Sequence, residues 1–165
     1  MCRLRKYVNM SESKLIYNSI ILPHFDYGDV IWQSASKNCL TQLQKIQNRA
    51  GRIILKINPY SHTSISQIHF CLGWQMLPER RKIHLLLLTY KILNNMTPEY
   101  LKEIFHFKHT PYSLRNQNSL SLPKPNTNYC KRTLVYRASS EYNNLPSELR
   151  QLPAFTTFKS KLSTL

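Results

Sequence analysis

Apolar positions recur along this chain with helical spacing, broken by proline more often than by glycine. From Ser11 to Leu22, Leu15, Ile16, Ser19 and Leu22 follow one helical phase, Ser11 offers a capping oxygen, and Pro23 ends or kinks the segment. Phe25 to Trp32 reads as a short, aromatic-rich helix. Ser36 to Ile57 carries the clearest pattern. Ser36 is a natural N-cap, and Leu40, Leu43, Ile46, Ala50, Ile53, Ile54 and Ile57 fall within an arc of roughly 140° at ~100° per residue. Asn58-Pro59 ends it. Ser61 to Leu72 predicts another helix, with Ile65, Ile68, His69 and Leu72 in phase and Gly73 as its stop. Pro78 suits the first turn of a helix to about Asn94, whose leucines nearly surround it and predict a central, buried element. Thr97-Pro98-Glu99 opens a helix to about Phe105, with Thr97 as its cap.

The character changes at Thr110. Between Thr110 and Thr133, eleven of 24 residues are Ser, Thr, Asn or Gln and none is acidic, which predicts a loop or a loosely held β-hairpin. Leu120/Leu122 and Leu134/Tyr136 alternate as hairpin strands would. Glu141 to Leu152 and Phe155 to Leu162 read as short closing helices. The fold class expected is mainly α: a helical bundle over 1–109, a polar loop or hairpin over 110–133, and a short helical segment over 134–165.

Charge adds direction. The 165 residues hold 23 Lys and Arg against 8 Asp and Glu, a net charge of +15 that is spread along the chain. Such an excess favours a polyanionic partner, nucleic acid before an anionic membrane surface. The longest apolar run, Leu85 to Leu88, is far too short for a membrane span, and Met1 to Met10 has no signal-like apolar core. Cys2, Cys39, Cys71 and Cys130 are isolated, so a reduced, intracellular chain is expected.

Lys45, Arg49, Arg52 and Lys56 are spaced 4, 3 and 4 apart, and no acid lies between Ser36 and Ile57 to neutralise them. They form a second stripe roughly opposite the apolar one. A phosphate backbone would relieve their mutual repulsion and release counterions; otherwise the stripe is a solvated face or meets acids from elsewhere. Tyr7, Tyr17, Phe25, Tyr27 and Trp32 read as core rather than as stacking platforms.

Other chemistry is thin. With three glycines, a Gly-rich phosphate loop is excluded. Asp26 and Asp29 could hold Mg²⁺, but no further carboxylate is near in sequence, and a capping role or an Arg partner explains them more simply. His69-x-Cys71 and His106-x-x-His109 lack the companions of a zinc site. No catalytic residue, metal ligand or cofactor is assigned.

Several strings together resemble one family. They are Leu15 to Tyr27 (LIYNSIILPHFDY), Val30-Ile31-Trp32, Leu43 to Ala50 (LQKIQNRA) and Arg52 to Leu55. Leu72-Gly73-Trp74, Glu79-Arg80-Arg81-Lys82, Tyr90 to Asn94, Leu145 to Arg150 (LPSELR) and Phe158-Lys159 follow in the same order. The set resembles the C-terminal, thumb and downstream region of a non-LTR, LINE-type, jockey-like retrotransposon reverse transcriptase. The resemblance implies a helical thumb that grips RNA or an RNA–DNA hybrid duplex through backbone phosphates, without base specificity. It also implies missing upstream polymerase domains and a nuclear or cytoplasmic ribonucleoprotein setting. The family's adjacent-aspartate polymerase motif has no counterpart here, because no two acids are adjacent, so the expected role is binding without catalysis. Two other readings stand beside it: a helical protein-interaction or scaffold module with a basic face, and a relic of a truncated element.

Overall fold

The computed structural model describes residues 6–58, 61–108 and 119–162. The fold is mainly α, and among the described residues the only β pairing is a single antiparallel bridge, Phe107 with Leu120. The chain divides into two compact units, Met1–Arg81 and Lys82–Leu165. The division falls inside a helix, between Arg81 and Lys82.

In the first unit, α1 (Met10–Ile16) starts at Asn9, not at Ser11. Asn9 accepts from the Glu12 backbone N–H at 2.8 Å and Glu12 returns the bond to the Asn9 N–H at 3.0 Å. This reciprocal box satisfies two otherwise orphaned donors, and Ser11 merely donates to Asn9. Pro23 does not break the path. A π-helical turn over Tyr17–Ile21 leads straight into α2 (Leu22–Asp26), with Pro23 in its first turn. The wider turn draws the Leu22 N–H to the Tyr17 carbonyl, so the missing Pro23 N–H falls where the bonding pattern restarts. Gly28, at φ 63°, then turns the chain into α3 (Asp29–Trp32).

Helix α4 (Lys37–Ile54) is capped by Ser36 as expected but ends earlier than Ile57. The Lys56 N–H reaches the Ile53 carbonyl at 3.2 Å and the Ile57 N–H reaches Arg52 at 3.0 Å. That paired closure requires a left-handed residue, and Lys56 supplies it at φ 54°. Helix α5 (Ile65–Leu72) starts at Ser64, with a capping box to Gln67, rather than at Ser61. Gly73 closes it in the same way, at φ 63°.

The core of this unit joins Tyr17, Phe25, Ala50, Ile54, Ile68, Leu72 and Leu77, with Leu43 and Trp74 against it. Tyr17 stacks on Trp74 at 4.1 Å between ring centroids. Gly51 lets α4 and α5 approach: a Cβ there would lie 2.7 Å from Ile68 Cγ2. Among the aromatics read as core, Tyr17 and Phe25 are buried, while Tyr7 and Tyr27 are more than four-fifths exposed.

Helix α6 (Leu77–Leu93) matches its expected span. Its portion in the second unit buries Leu85, Leu86, Tyr90 and Ile92. Asn95, at φ 57°, closes its end. Tyr90 stacks on Phe158 at 4.4 Å and donates its hydroxyl to the Leu152 carbonyl at 2.7 Å. The expected helix after Thr97 shrinks to α7 (Glu99–Lys102), and its N-cap is Pro98, not Thr97. Residues 109–118, that is His109 and the first part of the polar segment, lie outside the described residues. The flanking chain forms the single bridge, with Lys108 N–H to Ser119 O at 2.9 Å and Ser121 N–H to His106 O at 2.7 Å. Leu134 and Tyr136 are not strand residues. They open α8 (Leu134–Asn143), capped by Thr133. The helix expected over 141–152 is therefore two, the end of α8 and α9 (Ser147–Arg150), before α10 (Phe155–Leu162) closes the described chain. Asn143 holds the bridge strand by donating to the Leu120 carbonyl at 2.9 Å and accepting from the Leu120 N–H at 2.8 Å.

Candidate nucleic-acid interface

The basic stripe lies on the outer side of α4. The residues α4 buries are Gln47, Ala50, Gly51 and Ile54, and the mean direction of that set at ~100° per residue lies opposite Lys45, Arg49 and Arg52. The buried face is rotated from the one its leucines and isoleucines indicate: Ile46 is half exposed. Gln47 is buried because its amide donates to the Gln75 carbonyl at 3.2 Å and accepts from Gln44 at 2.8 Å. Gln44 also accepts from the Leu77 N–H and donates to Asn48, which contacts His69 Nε2 at 2.9 Å. A ladder of amides thus fixes α4 against the start of α6 and against α5, turning the cationic side outward.

The four cations are not equivalent. Lys45 and Arg49 are exposed, and among the described residues they have no hydrogen-bond or ion-pair partner. One turn apart, they present two charges at a Cβ separation of about 5–6 Å. Arg52 is half buried and donates to the Thr63 carbonyl at 3.1 Å, so part of its guanidinium is committed to holding the loop before α5. Lys56 is exposed but stands beyond the helix, on the left-handed residue, rather than in the helical row.

No acid pairs with Lys45, Arg49 or Lys56 among the described residues. No Asp or Glu occurs between Asp29 and Glu79. Asp26 makes a two-pronged ion pair with Arg80, with Nε to Oδ1 and Nη2 to Oδ2 both at 2.7 Å. That hydrogen-bonded pairing raises the Arg80 pKa above its ordinary value. Asp29 is buried. Arg81 is also buried, its guanidinium 5.4 Å from the Trp32 ring, and desolvation lowers its pKa. Arg80 and Arg81 are therefore anchored into the fold rather than standing free as surface cations, a difference that sequence alone does not show.

His69 and Cys71 do not converge: His69 is buried beside Asn48 and Trp74, where desolvation lowers its pKa, and Cys71 is exposed. No helix among the described residues is long and apolar enough to cross a membrane.

No protein-family model, curated protein or solved structure matches the chain.

Proposed function

We propose that this chain binds nucleic acid through backbone phosphates, using the outer face of α4. The observation that carries the reading is the pairing of Lys45 and Arg49, exposed and without partners among the described residues, on a helix whose opposite face is locked into the core. Lys56 extends the charge past the helix end, while Arg52, with Nη2 on the Thr63 carbonyl and Nη1 buried, adds to the local charge rather than to the contact surface. Cations on one rigid face suit a regular polyanion, and nothing in their arrangement reads bases.

The resemblance to the thumb region of non-LTR reverse transcriptases names the ligand to try first, an RNA–DNA hybrid duplex. A nuclear or cytoplasmic ribonucleoprotein that includes upstream polymerase domains is the setting this proposal carries with it. The reading assigns binding and positioning, with no bond-breaking step. Charge reversal at both exposed positions, Lys45→Glu with Arg49→Glu, is expected to weaken binding to a hybrid duplex by roughly tenfold or more, since two phosphate contacts become repulsions. The helix content should be unchanged, because neither side chain packs against the core. Unchanged affinity would reject the α4 face as the contact.

One observation favours a protein partner instead. Leu15, Ile20 and Phe70 are each at least 60% exposed, with Phe70 at 87% on α5. If these residues form the working surface, Phe70→Ser would abolish association while the charge reversal would leave it intact.

A further inference from the structure

Beside the core of the first unit lies an open cleft of about 500 Å³ between Lys14 and Arg80, floored by Gln47 and Trp74. The size suits a small ligand. No acid lines it among the described residues. The cleft lies on the core side of α4, because Gln47 belongs to the buried face, so it is separate from the Lys45–Arg49 stripe.

Its walls divide by chemistry. Trp74 and Tyr17 form a stacked aromatic wall. Asn18, Gln47 and Gln75 supply amides, which can both donate and accept. Lys14 and Arg80 supply cations. The Lys14 ammonium stands 3.9 Å from where a Gly73 side chain would begin, so glycine at this position keeps the backbone low beside it. Arg80 is set in orientation by Asp26, which occupies Nε and one edge of Nη2 and leaves Nη1 without a partner among the described residues. A guanidinium fixed through one edge presents its other N–H groups at little entropic cost, which is how a preorganised anion donor is built.

We propose that this cleft binds a phosphate monoester attached to a planar base, with the phosphate between Lys14 and Arg80 and the base along the Trp74 wall. A free nucleoside monophosphate and the 5′-phosphorylated end of a strand share that chemistry. The site does not depend on the α4 face, and the two can fail separately.

Trp32→Phe leaves Trp74 as the sole tryptophan, and its fluorescence is the readout. Adenosine 5′-monophosphate, a 5′-phosphorylated tetranucleotide and the same tetranucleotide with a 5′-hydroxyl are titrated in turn. A saturable change with either phosphorylated ligand is expected, at least about tenfold weaker after Lys14→Gln and unaffected by Lys45→Glu/Arg49→Glu. Binding of the mononucleotide alone marks a free nucleotide as the ligand, and binding of the phosphorylated tetranucleotide alone marks a strand end. The proposal is overturned if no ligand saturates, if the 5′-hydroxyl strand binds as well as the phosphorylated one, or if Lys14→Gln, shown folded by circular dichroism, binds as the parent does.

Discussion

Lys56 stands where a helix of this kind ordinarily places glycine. Its two neighbouring backbone bonds, to Ile53 and Arg52, close α4 only if the residue is left-handed, and a Cβ in that region costs about 1–2 kcal/mol. Lys56→Gly is therefore expected to stabilise the protein by about 1 kcal/mol, after allowing for glycine's larger entropy loss on folding. A denaturation midpoint raised at constant slope would show this, and an unchanged or lowered midpoint would mean the closure carries no strain. The sequence conceals the feature because the usual glycine signal is missing, so Lys56 reads as a fourth helical cation. Gln47 is hidden for the opposite reason: a polar side chain gives no hydrophobic signal, yet its bonds to Gln44 and the Gln75 carbonyl make it core. Asn143 is a third case, since no local pattern announces a side chain that pairs with the Leu120 backbone 23 residues away.

Among elements, α4 is the most legible, yet its buried face is rotated from the one its apolar residues indicate. Its cap, its acid-free face and most of its length follow from Ser36 and from spacing. The centre of its buried face does not, because Gly51 has no side chain to signal burial. Its contact with α5 predicts a result contrary to helix propensity. Gly51→Ala should gain about 1 kcal/mol as an isolated helix change, but the added methyl meets Ile68 Cγ2 at 2.7 Å, and overpacking costs typically 1–3 kcal/mol. Net destabilisation of about 1 kcal/mol is expected, smaller when Ile68→Ala is already present. A stabilised Gly51→Ala protein would show that α4 and α5 are less tightly packed than described. Two other elements escaped the pattern for identifiable reasons. The path from α1 to α2 survives Pro23 because the π-helical turn restarts the bonding there. Helix α8 was obscured by the alternation of Leu134 and Tyr136, which imitates a strand until the Thr133 cap is recognised.

At the scale of the whole chain, the +15 charge becomes informative only once the acids are placed. Glu12 serves a helix cap, Asp26 holds Arg80, and Glu141 pairs with Lys82 at 2.8 Å. These three acids are spent on the fold, and among the described residues none pairs with Lys45 or Arg49; the charge left on that face is the basis of the proposed binding. Polyanion binding of that kind has a thermodynamic signature independent of any particular sequence. The most direct measurement is the affinity of the purified protein for an RNA–DNA hybrid duplex across a series of salt concentrations, with single-stranded RNA in parallel. Contact by Lys45, Arg49 and Lys56 predicts a slope of log K against log salt of about −3, with the hybrid favoured over the single strand. A slope near zero, or equal weak binding of both ligands, would contradict a phosphate-gripping role for α4.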